Sequence, residues 1–296
     1  KKQQKIMELF RADSKRRSGK NNYGTVPAAI KTNSGLTEKG KNEMKINVCT
    51  TYEEMSRRAA DIITSQVTLK PDSVLGLATG STPLGMYAEL VKRYNGRLIS
   101  FRDVKTVNLD EYCGLTPDND QSYSYFMHRN LFDKIDIREE NVHLPDGTNP
   151  DAEAETARYD RLIESLGGID VQLLGIGVDG HIGFNEPDDS FSTGTVKIKL
   201  TESTIEANSR FFASEADVPR YAYSMGCRAI LNAKKILFIA NGANKAEIVE
   251  KAFFGEVTPE VPASILQLVS DKVYVYLDAE AAAEIVSKHP DAVTVL

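Results

Sequence analysis

Carboxylates, an imidazole and glycines crowd one stretch of the chain, Gly177-Val178-Asp179-Gly180-His181-Ile182-Gly183-Phe184-Asn185-Glu186-Pro187. It follows the apolar run 171–176 and is itself too polar and too rich in glycine for a core. Asp179 and His181 are spaced to form an orienting pair, in which the carboxylate fixes the imidazole's tautomer and Glu186 tunes its proton affinity from the other side. The glycines would let a substrate approach the backbone. A single histidine near a strand end more often makes a structural hydrogen bond. His128, His143 and His289 lack such neighbours and keep that plainer reading.

A second run of apolar residues, 104–109, leads into Asn108-Leu109-Asp110-Glu111-Tyr112. Adjacent side chains leave a strand on opposite faces, so one carboxylate is expected in a pocket and the other in a structural or solvated role. A carboxylate there could take a proton from a carbon next to a carbonyl or imine. Metal binding is the competing use. After the run 74–78 comes Thr79-Gly80-Ser81-Thr82-Pro83 and then a helical pattern. Glycine permits a tight turn, proline suits the first helical position, and the free N–H groups with the hydroxyls of Ser81 and Thr82 suit a phosphate. The plainer reading is an ordinary N-cap. The terminal Lys-Ser/Thr pair of a Walker A loop and the triple-glycine spacing of a dinucleotide fingerprint are both absent. Arg210, in Asn208-Ser209-Arg210-Phe211-Phe212, and Lys245, after Asn241-Gly242-Ala243-Asn244, offer a bidentate fork and a point charge that could close on the same phosphate.

These groups need a scaffold that brings them together. Short β-branched runs at 46–49, 74–78, 104–109, 171–176, 236–240 and 273–277 read as strands buried on both faces. Between them, residues 52–69, 83–94, 122–132, 150–166, 244–254 and 279–287 are long enough and patterned enough to be helices. The alternation predicts an α/β fold: a single-domain, doubly wound, mainly parallel sheet with helices on both faces, modified Rossmann-like, with right-handed connections. Ligands then bind beyond the C-terminal strand ends, where all three motifs fall. Residues 188–219 break the alternation as a long polar stretch with little period and are expected to form a lid. No internal repeat divides the body, so one domain spans 44–296.

Residues 1–43 carry 11 Lys or Arg against 4 acidic residues, while the remainder carries 25 against 38. A +7 tail on a −13 body could address nucleic acid or an acidic membrane surface, but a short run of low hydrophobicity is expected to be simply disordered. Met44 follows Lys39-Gly40-Lys41, whose codons are purine-rich, and opens the first convincing apolar segment. Translation is therefore expected to start at Met44, with the upstream residues read through from a leader. No stretch approaches the ~20 apolar residues of a membrane span and the first residues lack the apolar core of a secretory signal, which predicts a cytoplasmic protein. Cys49, Cys113 and Cys227 are widely spaced and odd in number, as reduced thiols would be.

Taken in order, LATGSTPLGMY, VNLDEYCGL, SYSYFMHRNLF, GVDGHIGFNEP and NSRFF resemble the glucosamine-6-phosphate deaminase family, over nearly all of residues 44–286. The resemblance implies conversion of glucosamine 6-phosphate and water to fructose 6-phosphate and ammonia, with no metal and no organic cofactor. It implies that Asp110 moves a proton between C2 and C1 of the open-chain sugar through an enolamine, and that His181 opens the ring with Asp179 and Glu186 as partners. Ser81, Arg210 and Lys245 match phosphate ligands, and Gly80 and Thr82 add backbone donors. A small-molecule partner is implied, with neither nucleic acid nor membrane, and monomer, dimer and hexamer all stay open. Family members under allosteric control carry basic residues near the segment corresponding to 195–200, where this chain has Val196-Lys197-Ile198-Lys199. Three other readings compete: a 6-phosphogluconolactonase, which also carries a glycine-rich DGH segment; a non-catalytic sugar-phosphate sensor; and a metal-dependent hydrolase using Asp110, Asp179 and His181.

Overall fold

The computed structural model describes residues 44–209, 212 and 214–296. The basic tail 1–43 and Arg210 therefore lie outside the described residues. Along the described chain run β1 (Lys45–Cys49), α1 (Tyr52–Leu69), β2 (Val74–Leu77), α2 (Leu84–Asn95), β3 (Lys105–Asn108) and β4 (Asp110–Tyr112). Next come α3 (Tyr123–Asn130), β5 (Val142–His143), α4 (Ala152–Ser165), β6 (Val171–Leu174), β7 (Val196–Lys199), α5 (Glu202–Ser209) and β8 (Tyr221–Ser224). The last are α6 (Cys227–Asn232), β9 (Lys235–Ala240), α7 (Ala246–Phe254), β10 (Val273–Asp278), α8 (Ala283–Lys288) and β11 (Val293–Val295).

All six expected strands lie in one eight-stranded sheet of order β11-β1-β10-β9-β6-β2-β3-β5, in which every pairing is parallel. Their side chains are mostly apolar, as in strands covered on both faces, and the four residues of β2 and of β6 are all buried, Gln172 among them. From β2 the chain steps outward to β3 and β5, then returns to the other side of β2 as β6 and steps outward again to β9 and β10. The order thus reverses between β2 and β6, and the crevice that binds ligands in such sheets opens there, at the C-terminal strand ends.

Helix starts are set by local chemistry. Thr51 accepts the N–H of Glu54 at 3.2 Å while the Glu54 carboxylate accepts the N–H of Thr50 at 3.0 Å, a reciprocal cap that begins α1. Met55, Ala59, Ile63 and Val67, four residues apart, bury one face of that helix against the sheet. Ser122 and Asp151 cap α3 and α4 in the same way, accepting from Tyr125 and Ala154 at 3.0 Å each. Pro83 stands just before α2 rather than inside it. The helix expected from residue 279 becomes regular only at Ala283, because Asp278 first turns the chain by accepting the Ala281 N–H at 2.8 Å.

The polar stretch 188–219 is not without regular structure, as its weak periodicity had suggested. Val196 and Ile198 alternate with exposed Lys197 and Lys199 in β7, which pairs antiparallel with β8, and residues 202–209 form α5. Beside the main core, β4, β8 and β7 make a second, three-stranded antiparallel sheet over a small apolar cluster of Tyr112, Phe184, Leu200, Ile205, Val218 and Ala222. Leu109 joins the two sheets: its N–H donates to Leu77 O at 3.0 Å and its carbonyl accepts the Met225 N–H at 2.7 Å. The third strand is therefore shorter than expected, and the carboxylates that were to end it begin β4 instead.

Candidate active site

Four adjacent strands, β9, β6, β2 and β3, deliver the chemically equipped loops to one edge of the sheet. Lys245 follows β9, the Asp179–His181 loop follows β6, Thr79–Pro83 follows β2, and Asp110 follows β3.

Asp110 and Glu111 are both buried, and their oxygens have different occupations. Glu111 Oε1 accepts the N–H groups of Tyr112 at 2.8 Å and Tyr123 at 2.9 Å, and Oε2 accepts that of Ser124 at 2.8 Å. It is a structural anion at the start of α3, where the helix dipole also favours negative charge. Burial still pushes its carboxyl up to about 7 against those three donors. Asp110 turns the other way. Its Oδ2 lies beside Gly183, so close that a Cβ built there would stand 3.4 Å from it and 3.2 Å from Ser224 Oγ. Gly183 has φ +59° and leaves that approach open. Burial raises the Asp110 carboxyl to about 7, the charge of Glu111 adds to the rise, and His181 works against it.

The His181 loop is bent by Gly177 and Gly180: the Gly180 N–H donates to Gly177 O at 3.2 Å, the Gly177 N–H to His181 O at 3.0 Å, and Gly180 has φ +93°. The imidazole packs directly on Gly177, where any Cβ would overlap the ring. His181 Nδ1 lies 2.7 Å from Asp179 Oδ1 and 3.8 Å from Glu186 Oε2. Nδ1 meets no partner in straight hydrogen-bond geometry, so these are ion-pair contacts. Burial alone would lower the imidazole's proton affinity, but Asp179 and then Glu186 outweigh it and raise the pKa, with Lys245 opposing. Asp179 responds in kind: burial would raise its carboxyl, yet His181 and local N–H groups hold it down at about 2. The side chains of His181 and Asp179 remain 24% and 25% exposed, so a ligand can reach the pair.

Glu186 is almost fully buried and is held by two hydroxyls that its sequence neighbourhood gave no reason to expect. Thr204 Oγ1 donates to Oε1 at 2.7 Å and Thr201 Oγ1 to Oε2 at 3.2 Å. The signal for them was present as Thr201-x-x-Thr204, an N-cap spacing, inside a stretch that reads only as polar. Asn185 fixes the end of the loop by donating to Ile182 O at 2.8 Å and Met225 O at 2.9 Å.

At the β2 end, Gly80 has φ +103° and is exposed with Ser81, while Thr82 is half-buried. Tyr52 pins this loop from α1: its hydroxyl donates toward Ser81 O and Thr82 O at 3.2 and 3.1 Å and accepts the Gly85 N–H at 2.8 Å. Thr82 Oγ1 donates to Asn241 Oδ1 at 2.7 Å, which ties the loop to the turn that carries Lys245. Lys245 Nζ in turn donates to Ile176 O at 2.7 Å, on the segment between β6 and the His181 loop. Thr82 and Lys245 thus link the β2 loop, the turn after β9 and the segment leading to the His181 loop, and the charge of Lys245 also reaches His181.

One ligand atom from each of Asp179, His181 and Glu186 lies within 4.8 Å of the others, a spacing that a cation could also use. The atom that faces both carboxylates is Nδ1, at 2.7 and 3.8 Å. The arrangement can present a sugar phosphate with a buried carboxylate of raised proton affinity on one side and a carboxylate-flanked imidazole on the other. Among the described residues, no helix is long and apolar enough to cross a membrane.

Known proteins resemble this chain in sequence and fold. The glucosamine-6-phosphate isomerase/6-phosphogluconolactonase family matches residues 50–275. The glucosamine-6-phosphate deaminase of Clostridioides difficile (strain 630) is 54% identical over 239 residues, 81% of this chain and 96% of that protein. That of Lachnoclostridium phytofermentans is 58% identical over 228 residues, 77% of this chain and 97% of that protein. Among solved structures, a monomeric glucosamine-6-phosphate deaminase superposes with a TM-score of 0.79 at 45% identity, covering 81% of this chain and all of that one. The 6-phosphogluconolactonase of Trypanosoma brucei shares the fold, with a TM-score of 0.65 at 20% identity over 82% of this chain and 99% of that one. With a family match over residues 50–275 and relatives more than half identical along nearly their whole length, this chain belongs to the glucosamine-6-phosphate isomerase/6-phosphogluconolactonase family.

Proposed function

We propose that the protein is a glucosamine-6-phosphate deaminase, a deaminating aldose–ketose isomerase of amino-sugar catabolism that converts D-glucosamine 6-phosphate and water to D-fructose 6-phosphate and ammonia. The observation that carries this reading is the pairing of Asp110, buried with its carboxyl raised to about 7, with a His181 flanked by Asp179 and Glu186 at the same sheet edge. The named deaminase relatives support it.

The chemistry needs two separately tuned groups because it happens at different atoms. His181 moves the proton between the anomeric hydroxyl and the ring oxygen, opening the pyranose to the aldehyde. Asp110 removes the proton from C2, next to that carbonyl; the electron pair forms C1=C2 while the C1=O π pair moves to O1, which takes up a proton, for instance from the substrate ammonium, to give an enolamine. Returning the proton to C1 leaves an imine at C2. Water adds there, ammonia leaves, and the ketose remains. A base with a pKa near the working pH accepts and returns one proton with little penalty either way.

Ser81 and Thr82, with the N–H groups around Gly80, would bind the phosphate together with Lys245 and with Arg210 from the lid. Anchoring the unreactive end lets its binding energy align C1 and C2 against Asp110. Closure of residues 188–219 would exclude water during enolamine formation. No metal or organic cofactor enters this scheme. A phosphorylated substrate of intracellular metabolism suits a cytoplasmic enzyme. The test is release of fructose 6-phosphate and ammonia from glucosamine 6-phosphate, against hydrolysis of 6-phosphogluconolactone without ammonia, which the lactonase reading requires.

A further inference from the structure

Helix α5 touches the catalytic group through two hydroxyls. Thr201 stands at its N-terminus, accepting the Thr204 N–H at 3.3 Å, with its hydroxyl proton within reach of Thr204 Oγ1 at 3.1 Å as well as of Glu186, while its carbonyl accepts the Ile205 N–H at 3.0 Å. The same two hydroxyls take one oxygen each of the Glu186 carboxylate, Thr204 on Oε1 and Thr201 on Oε2. Oε2 is also the oxygen that faces His181 Nδ1 at 3.8 Å. A buried carboxylate needs such donors to keep its charge and its orientation. Ile205 and Leu200, on either side of the two threonines, are buried in the small apolar cluster with Tyr112 and Phe184, so the hydroxyls are in register only when α5 is seated on it.

We propose that Thr201 and Thr204 are positioning residues that hold Glu186 against His181, so that seating of α5 on the apolar cluster sets the working state of the imidazole. This rests on the reading of His181 as the ring-opening group. With the helix displaced, Glu186 loses both hydroxyl donors and the imidazole keeps only Asp179 as its anionic partner. Lys245, after β9, and Asp110, on β4, also face the ring electrostatically and stay where they are, since neither is carried by α5. Seating of α5 on the apolar cluster and readiness of the histidine are then one event.

Threonine and valine are nearly isosteric, so Thr204→Val removes the hydroxyl and keeps the volume, and Thr204→Ser restores the hydroxyl. In the full chain, with four histidines to assign, the His181 ring is titrated by NMR without substrate, and kcat and KM are measured with glucosamine 6-phosphate. The proposal expects a lower titration midpoint for His181 in T204V and its return in T204S. It also expects a loss of kcat on the order of tenfold in T204V, the usual weight of a hydrogen bond to a charged group, with KM little changed and most of kcat recovered in T204S. An unchanged His181 midpoint in T204V overturns it, as does an equal loss of kcat in T204V and T204S. T201V, at the less buried position, repeats both readouts should T204V fail to fold. If the wild-type chain releases no ammonia, the functional reading fails while the titration still decides whether the threonines hold Glu186 on His181.

Discussion

Asp110 and Glu111 are adjacent in sequence, equally buried, and directed to opposite ends: Glu111 holds three backbone N–H groups at the start of α3, and Asp110 turns its Oδ2 toward Gly183 in the crevice. One peptide unit thus separates a structural anion from the group assigned the proton transfer. Asp110→Asn should therefore lower kcat by about 10²–10⁴, the usual worth of a positioned base, while binding of the substrate survives. Glu111→Gln should instead lower the melting temperature, because an amide cannot accept the same three N–H groups without also burying an unpaired donor. Steady-state kinetics and thermal melts on the two variants separate the roles.

The raised carboxyl of Asp110 has consequences for pH. Its folded pKa of about 7 lies above the ordinary value of 3.8, so the folded state binds the proton more tightly and stability falls as pH rises between those values. Asp110→Asn removes that burden. The variant should melt higher than wild type at pH 8, with the difference shrinking toward zero near pH 4, while wild-type kcat/KM should rise as pH increases through about 7. A melting difference independent of pH would contradict the assignment.

Gly177 is predicted to be irreplaceable for a steric reason. A Cβ at this position overlaps the His181 ring, so Gly177→Ala must displace the imidazole from Asp179 and Glu186. Turnover should fall by about tenfold or more, in keeping with loss of an ion-paired contact. Gly80→Ala should act differently, since its Cβ meets open space and the penalty comes from φ +103° alone. Its cost should appear as about 1 kcal/mol or more of stability and weaker substrate binding.

Much of this arrangement is legible in the chain. The strand cores are runs of apolar residues buried on both faces, and the spacing of Met55, Ala59, Ile63 and Val67 gives α1 its full length from sequence alone. The three loop motifs fall at the C-terminal ends of strands that the structure places side by side. What pattern could not supply is pairing between distant short segments. The strand Tyr221–Ser224 is four residues long and mixes tyrosine with serine, and only its antiparallel pairing with Asp110–Tyr112 on one side and Val196–Lys199 on the other makes it a strand. Val142–His143 and Val293–Val295 are likewise two and three residues whose conformation is imposed by a neighbouring strand. The grip of Thr201 and Thr204 on Glu186 spans 15 and 18 residues across a turn that no local periodicity encodes.

Lys245 is expected to act on binding rather than on the chemical step. Its Nζ donates to Ile176 O, and the turn that carries it is tied through Asn241 to Thr82, next to the exposed Gly80 and Ser81. Lys245→Met keeps the stem and removes the charge, and should raise KM by about tenfold with a smaller effect on kcat. Inorganic phosphate should inhibit the wild type competitively and the variant more weakly.

The Asp179–His181–Glu186 group distinguishes a proton relay from a cation site by a simple treatment. Dialysis against a chelator should leave turnover unchanged, because the proposed ring opening and proton transfer use only His181, its carboxylate neighbours and Asp110. Loss of activity on dialysis, with recovery on adding one divalent metal, would require the cluster to be read as a metal centre.

The central claim rests on one stoichiometry. Purified protein incubated with glucosamine 6-phosphate, with fructose 6-phosphate and ammonia measured together, should yield the two products in equal amounts, and Asp110→Asn should form both about 10²–10⁴ times more slowly. Formation of fructose 6-phosphate and ammonia by Asp110→Asn at the wild-type rate, or hydrolysis of 6-phosphogluconolactone by a wild type that releases no ammonia, would contradict the account.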